Sequence, residues 1–395
     1  MKTLGVSKRA GLAKPSPTLA ISAKAKAMKA EGIDVISFGA GEPDFNTPEP
    51  ICRAAREALD EGFTKYTQTS GMPELRAAIA DKLKRENKVE ASSDQVVVSC
   101  GAKQSLYNAA MMLLDEGDEA IVIAPYWMTY IDQIQLAGAK PVVVHARADN
   151  DFLPDPDDIA QKISARTRAI FINSPCNPTG AVYPPETLEA IAQLAERNDL
   201  WLICDEIYER LVYGAKHVST ASLGSKIAER TITIGGCSKT FAMTGWRIGY
   251  AAAPLPVART MAAFQDAVTS NANSFAQRGA LEAFRMGGDC VEQMRAEFEE
   301  RRDLMRAELL KIPGLGVSNP KGAFYFLVDV RRFLSGKFDS DEQLGQSLLE
   351  TGHVATVPGT VFDAPGFIRL SYTASKNNIK RGVDRIGGFL SQPKT

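Results

Sequence analysis

Gly235-Gly236-Cys237-Ser238-Lys239-Thr240-Phe241-Ala242-Met243-Thr244-Gly245-Trp246-Arg247-Ile248-Gly249-Tyr250 is the stretch on which the reading of this chain turns. A lysine sits in a small-residue loop after the apolar run Thr231 to Ile234. Arg247 follows, just before a second apolar run, Ile248 to Ala253. A loop lysine is ordinarily a solvated surface group. Here its neighbours are Gly, Cys, Ser, Phe, Met and Trp, and no other charge intervenes before Arg247. Partial burial and a nearby cation lower an amine's pKa and free it as a nucleophile. On this stretch alone both readings stand.

Working outward, other short apolar runs lie at Ala120 to Ala124, Ala169 to Ile172 and Leu200 to Cys204, with a helical pattern from Pro184 to Arg197 between the last two. Such alternation predicts an α/β fold with a mainly parallel sheet flanked by helices, whose sites lie beyond the strand carboxyl ends. Asn177, Asp205, Tyr208, Lys239 and Arg247 all fall in loops beside these runs. Asp205 ends a buried strand and needs a partner. A cationic pyridinium nitrogen is one, and a Schiff-base lysine with an aspartate on the ring nitrogen is a known pairing. Gly101 precedes a helical pattern, so Gly101-Ala102-Lys103 offers free N–H groups to an anion, without the GxxxxGK[ST] of a Walker loop. Arg369 sits inside the apolar run Phe367 to Tyr372 and wants an anion, for which a bidentate carboxylate is the natural mate.

Composition narrows the classes. A chain of 395 residues, 45% of them hydrophobic, can bury a large core and is long enough for two domains. Its net charge is −1 and its Lys and Arg are dispersed, which argues against a nucleic-acid partner. Met1 to Leu12 lacks an apolar signal region, and no apolar run approaches the ~18 residues of a membrane span. The expectation is a soluble, cytoplasmic protein. Six scattered cysteines without a CxxC read as small buried residues in a reducing compartment, and three histidines in no ligand spacing lend nothing to a zinc site or a Ser-His-Asp triad.

Local patterns add a helix from Leu19 to Ala30, a strand from Ile33 to Phe38, and Thr47-Pro48 as N-cap and first turn of a helix running to about Glu61. The Glu/Arg alternation of Cys290 to Lys311 predicts a solvated connecting helix with i,i+4 pairs. Beyond Pro313-Gly314 a smaller α+β unit is expected, with a helix from Asp341 to Thr351 and strands at Val354 to Val357 and Phe367 to Tyr372.

At these residues the chain resembles the class I and II aminotransferases, pyridoxal-phosphate enzymes of fold type I. It is similar above all to the gamma-subgroup bacterial aspartate aminotransferases, some of which also act on prephenate. The resemblance runs from Lys14 to about Ser375. It implies a segment 1–45 joining the small domain, a cofactor-binding domain 46–289 and a small domain 290–395. It implies that Lys239 holds pyridoxal 5'-phosphate covalently, that Asp205 keeps the ring nitrogen protonated, and that Tyr208 and Asn177 bind the phenolic oxygen. Arg247, Ser238 and Gly101-Ala102-Lys103 would seat the phosphate, and Trp127 would stack on the ring and border the substrate. Tyr66 would reach the phosphate of a neighbouring subunit, so a homodimer with shared active sites follows.

In the same resemblance Arg369, Asn177 and Gly41 hold the substrate α-carboxylate. Lys14, Ser16, Thr18 and Lys103 meet its distal carboxylate, with Lys14 tied to prephenate use. No metal is implied. Ser270 to Ser274, where the animal-type aspartate enzymes carry an arginine, has none. The implied activity is ping-pong exchange of an amino group between aspartate or glutamate and oxaloacetate or 2-oxoglutarate. The same scaffold also serves aromatic and alanine aminotransferases, carbon–sulfur lyases and ACC synthase. A regulatory pyridoxal-binding module wants a basic winged-helix segment upstream, and a Rossmann dehydrogenase wants a GxGxxG after its first strand.

Overall fold

The computed structural model describes residues 5–12, 15–334 and 338–392. Thirteen strands are found among them. β1 (Ile36–Ser37) comes first. The main-sheet strands follow: β2 (Val96–Cys100), β3 (Glu119–Ala124), β4 (Lys140–His145), β5 (Thr167–Asn173), β6 (Trp201–Asp205), β7 (Thr231–Gly236) and β8 (Ile248–Ala252). The last are β9 (Gly316–Val317), β10 (Tyr325–Asp329), β11 (Val354–Ala355), β12 (Val357–Pro358) and β13 (Phe367–Ser371).

The main sheet has the order β2-β8-β7-β6-β5-β3-β4. Only β8 runs antiparallel to its neighbours, pairing Cys100 with Ile248 on one side and Gly236 with Gly249 on the other. The carboxyl ends of the other six strands and the start of β8 therefore share one edge. Alternate residues leave the strands on opposite faces. Ile170, Ile172 and Leu202 pack with Leu188 and Ile191 of the helix Pro185–Arg197. Ala169, Phe171 and Ile203 pack with Leu106 and Ile134 on the other face. Each such buried Ile or Leu stabilises the fold by roughly 1.5–3 kcal/mol relative to exposure, which is why both faces are covered.

The smaller sheet is β12-β13-β10-β9, and a two-stranded parallel pair joins β1 to β11. One core gathers Phe38, Phe298, Phe324, Leu344, Ile368 and Val383, so the chain near residue 38 packs with the C-terminal elements.

Four expectations need correction. The strand expected over Ile33 to Phe38 shortens to Ile36–Ser37. Val354 to Val357 is two strands, because Val354 and Ala355 pair with β1 while Val357 turns to pair with Arg369 of β13. Thr47 does not cap the helix Glu49–Asp60. Its hydroxyl donates to the Ala242 carbonyl at 2.7 Å and accepts from Trp246 Nε1 at 3.0 Å, tying the helix start to the Lys239 loop instead. The helix Asp289–Leu309 does carry i,i+4 pairs, but it also buries Met294, Phe298, Met305 and Leu309. Its Arg301 is only 7% exposed, bonded to Asp44 at 2.7 Å and set over the rings of Phe45 and Phe298.

Glycine decides one contact between layers. A Cβ on Gly249 would land on the Gly101 carbonyl carbon and the Ala102 nitrogen, with Ala102 Cα 2.7 Å away. All three are backbone atoms, so the helix Ala102–Leu113 must move to make room. Gly249→Ala should cost about 1–3 kcal/mol in urea unfolding, as overpacking of a filled core does. Gly245→Ala, with open space around it, should stay within about 0.5 kcal/mol of the parent.

Candidate active site

The strand register brings the loop residues to one edge. Gly101 follows β2, Trp127 lies just past β3, and Asn177 follows β5. Asp205 ends β6, Lys239 follows β7, and Arg247 leads into β8. Lys239 lies on a one-turn helix, Cys237–Thr240, and is half-buried. Its Nζ donates to the Gly41 carbonyl at 2.5 Å and lies 6.0 Å from the ring centre of Tyr208 and 5.9 Å from that of Phe324. Burial lowers its pKa to about 8. The charges of Arg247 and Arg369 push the same way, against Glu42 and Asp205. The amine is thus poised to lose its proton near neutrality.

Asp205 is the electrostatic counterpart. Its Oδ2 accepts from the Tyr130 hydroxyl at 2.7 Å and its Oδ1 from the Ile207 N–H at 3.2 Å. Burial pushes the carboxyl up to about 6, despite those hydrogen bonds and the field of Lys239. No Lys or Arg side chain among the described residues bonds it. A cation placed here regains what burial costs the carboxylate.

The opposite sign appears at Arg369. Only 2% exposed, it donates through Nη1 to Asn177 Oδ1 at 2.9 Å and through Nη2 to the Gly39 carbonyl at 3.0 Å. Its Cζ lies 4.4 Å from the Tyr325 ring centre and 4.9 Å from that of Phe362. Nε has no partner, and no carboxylate of the described residues bonds the group. Burial lowers the guanidinium's pKa. Tyr208 is held close by, its hydroxyl 2.9 Å from that of Tyr325, and burial raises its phenol well above the ordinary range.

A third seat suits an anion. Gly101, at φ +78°, starts the helix Ala102–Leu113. The Arg247 guanidinium lies against it, where a Cβ on Gly101 would come 2.8 Å from Cζ. Arg247 is anchored by the carbonyls of Thr244 at 3.0 Å and Cys100 at 3.5 Å. Lys103 Nζ lies 4.8 Å over the Trp127 ring, its pKa lowered by burial and by Arg247. A helix N-terminus with two cations nearby favours a phosphate. The nearby Ser238 is buried.

Among the described residues, Ser16, Thr18 and Tyr66 form no hydrogen bond or ion pair with this cluster. Ser16 and Thr18 hydrogen-bond each other at 2.9 Å at the start of the helix Pro17–Ala30. Tyr66 is 90% exposed, and Lys14 lies outside the described residues. Cysteine burial is mixed: Cys176, Cys204 and Cys237 are buried, whereas Cys100 is exposed beside the anion seat. Sequence reasoning missed Tyr130, Tyr325, Phe362 and the Gly39 carbonyl. A tyrosine inside an apolar run must find a hydroxyl partner, which was the available signal for Tyr325.

Behind Asp205, Glu206, Glu209 and His217 bring ligand atoms within 4.8 Å of one another. Lys82 and Asn87 already bond Glu209 there, and Ser219 bonds Glu206, so the acids carry a built-in cation. An acid lacking a cationic partner, a depressed-pKa amine and a cation-flanked helix N-terminus together fit a phosphorylated pyridine aldehyde. The unopposed arginine fits a carboxylate beside it.

Comparison with known proteins gives the same family repeatedly. Residues 33–386 match the family described as aminotransferase class I and II. A probable aspartate/prephenate aminotransferase of Aquifex aeolicus is 48% identical over 98% of this chain and 99% of that protein. The aspartate aminotransferase of Bacillus subtilis is 43% identical over 98% of this chain and 99% of that protein. The solved aspartate aminotransferase from Thermus thermophilus with maleate superposes with a TM-score of 0.94 at 42% identity, covering 98% of this chain and 100% of that one.

The Asp205 environment makes a stability prediction with a definite sign. Its folded pKa of about 6 lies above the unfolded value near 4, so the ionised acid destabilises the ligand-free fold above pH 6 and not below pH 4. Asp205→Asn keeps the acceptor oxygen and loses the charge. It should raise the ligand-free protein's stability at pH 8, on the order of 2–3 kcal/mol, and lose that advantage by pH 4. Calorimetry of both proteins at the two pH values checks it.

Proposed function

The chain belongs to the class I and II aminotransferases, and we propose that within that family it exchanges amino groups between aspartate or glutamate and 2-oxoglutarate or oxaloacetate, with prephenate as a further acceptor. The family is pyridoxal-phosphate-dependent, and so is this enzyme. The observation that carries the reading is the buried, unneutralised Arg369 in the same cluster as the depressed-pKa amine of Lys239. Carbonyls of one loop, Gly39 and Gly41, accept from the two cations. An amino acid's carboxylate on Arg369 thus lies beside the amine that is to handle its Cα proton.

Bound there, pyridoxal phosphate supplies an aldehyde for amines and a ring that draws electrons from the amino acid's Cα. The residues that would hold it are Lys239 covalently, Asp205 at the ring nitrogen, Tyr208 and Asn177 at the phenolic oxygen, and Trp127 on the ring face. Arg247, Ser238 and Gly101-Ala102-Lys103 would hold the phosphate. Asp205 keeps a proton on that nitrogen because a buried carboxylate is most stable beside a cation. Once the amino acid's own nitrogen had taken its place at the aldehyde, Lys239 Nζ would be a free amine again, its pKa lowered by burial, and could take the proton from Cα and return it. Arg369, Asn177 and the Gly41 backbone orient the α-carboxylate so that the Cα–H bond faces the amine.

For the distal carboxylate we assign Lys103, with Ser16, Thr18 and Lys14 of the N-terminal segment. Lys103 is supported by its position over Trp127 and its shared field with Arg247. Prephenate use is supported by the aspartate/prephenate aminotransferase of Thermus thermophilus, 42% identical over 98% of this chain. A homodimer is supported by Tyr66, whose 90% exposure leaves its ring open to a partner's site. A cytoplasmic location is supported by six cysteines without a disulfide. No helix among the described residues is long and apolar enough to cross a membrane.

Single-turnover spectroscopy with aspartate, glutamate, alanine and phenylalanine tests the assignment. Aspartate and glutamate should convert the bound cofactor fastest. Rapid turnover of phenylalanine or alanine with none of aspartate overturns the specificity. Lys239→Ala should lower kcat by about 10³-fold or more, the usual weight of a group that both attacks and moves protons. With cofactor held saturating, Lys103→Ala should raise KM for aspartate roughly 10–200-fold, as expected for one lost hydrogen bond to a charged group, and raise it far less for alanine, which has no distal carboxylate.

A further inference from the structure

We propose that Tyr325 is a positioning residue that couples occupation of the Arg369 carboxylate site to the hydrogen-bonding strength of Tyr208, and so to proton affinity at Lys239. The proposal rests on the reading that pyridoxal phosphate is held at Lys239. It goes beyond that reading by giving a role to a residue outside the set that would hold the cofactor.

The register explains how Tyr325 comes to span the two sites. Within β10 it pairs with Ser371 of β13, while Leu327 pairs with Arg369. Tyr325 and Arg369 are therefore diagonal neighbours on one face of the sheet, within reach of long side chains. The Arg369 Cζ lies 4.4 Å from the Tyr325 ring centre, and the Tyr325 hydroxyl lies 2.9 Å from that of Tyr208. The same hydroxyl faces Gly41, where a Cβ would come 3.4 Å from it, and the Gly41 carbonyl accepts from Lys239. Tyr325 is fully buried, so no water competes for these contacts.

Donor order then follows. One proton lies between the two hydroxyls. If Tyr208 donates to the cofactor's phenolic oxygen, its own oxygen must accept, so Tyr325 is the donor of the pair. A guanidinium over the ring face draws electron density from the phenol and sharpens that donor. Successive hydrogen bonds polarise one another, so Tyr208 becomes the stronger donor in turn. A carboxylate that neutralises Arg369 relaxes the chain. The phenolic oxygen keeps more negative charge, and the neighbouring Lys239 nitrogen holds its proton more tightly. The rise comes as an incoming ammonium must give up a proton. One proton passes between nitrogens, and no electrons change hands.

The test uses holoenzyme and reads the pH dependence of the bound cofactor's absorption, with and without saturating succinate, a dicarboxylate without an amine. Tyr325→Phe keeps the ring and removes the hydroxyl. It should raise the spectroscopic pKa of free holoenzyme by about 0.5 unit and shrink the succinate-induced rise by about 0.3 unit or more, with the succinate Kd within about threefold of the parent. In a Tyr208→Phe background it should add nothing. Placing 3-fluorotyrosine at 325, a more acidic phenol of nearly the same shape, should move the pKa the other way, which a packing role does not predict. Parent-like titration of Tyr325→Phe with and without succinate overturns the proposal, as does an effect that adds in full to Tyr208→Phe. Parent protein that takes up no cofactor and shows no pH-sensitive band overturns the Lys239 reading itself.

Discussion

A carboxylate buried at the end of a parallel strand, with a hydroxyl and a backbone N–H for partners, is the constraint around which the rest is arranged. Asp205 must sit at the carboxyl edge because β6 ends there, paired with Asn173 of β5 on one side and Ile234 of β7 on the other. Both neighbouring strands are then obliged to open into loops at the same level. Asn177 comes from the first loop and Lys239 from the second. The lone antiparallel strand, β8, starts at this edge and so delivers Arg247 beside Gly101 at the end of β2. Sheet connectivity, more than any local motif, assembles the cluster.

The second layer of the site depends on the loop 39–45, which bonds four separate elements without belonging to the main sheet. Gly39 and Gly41 give carbonyls to Arg369 and Lys239, Glu42 accepts from Thr244 at 2.8 Å, and Asp44 accepts from Arg301 of the long helix. Backbone carbonyls suit this place because they accept hydrogen bonds without neutralising either cation. A carboxylate there would pair with Arg369 and close it to any incoming anion. The arrangement is costly to stability, since burial disfavours the charge on both Lys239 and Arg369. Active sites commonly retain such unpaired charge because binding makes use of it.

Much of this was legible in the sequence. Asp205, Lys239 and Arg369 could be singled out because each places a charge against a short apolar run, which is uncommon without a ligand or partner. Gly101 was legible as the start of a helix. The tyrosines were not. Tyr325 lies in an apolar stretch and Tyr130 in an amphipathic helix, where an aromatic reads as core, and their partners Tyr208 and Asp205 are far along the chain. Arg301 misled for the converse reason: its i,i+4 pair with Glu297 is what a solvated helix shows, while its bond to Asp44 depends on tertiary packing. The run Val354 to Val357 carried no mark of which sheet each half would join. The parts assigned to Tyr66 and Lys14 turn on a second subunit and on the N-terminal segment, so no pattern within the main sheet could place them.

Opposite charges in one small site raise the question of why they do not cancel. Asp205 and Arg369 are both buried, and an ion pair between them would satisfy each while leaving neither open to a ligand. Tyr208, which feels the charge of both, and Tyr325, which lies under Arg369, join hydroxyl to hydroxyl in the same region. The shifts on the two groups have different sources. Arg369 is perturbed by burial and by the two tyrosines, whereas Asp205 responds to burial, Tyr130, the Ile207 N–H, Lys239 and Glu206. Phenols suit such a place because they stay neutral when buried and still pass on polarisation through the hydroxyl. An aliphatic residue in place of Tyr325 would leave Tyr208 without a hydrogen-bond partner at its oxygen. The tyrosine pair thus leaves Asp205 open to a cation and Arg369 open to an anion, with Lys239 in the field of both.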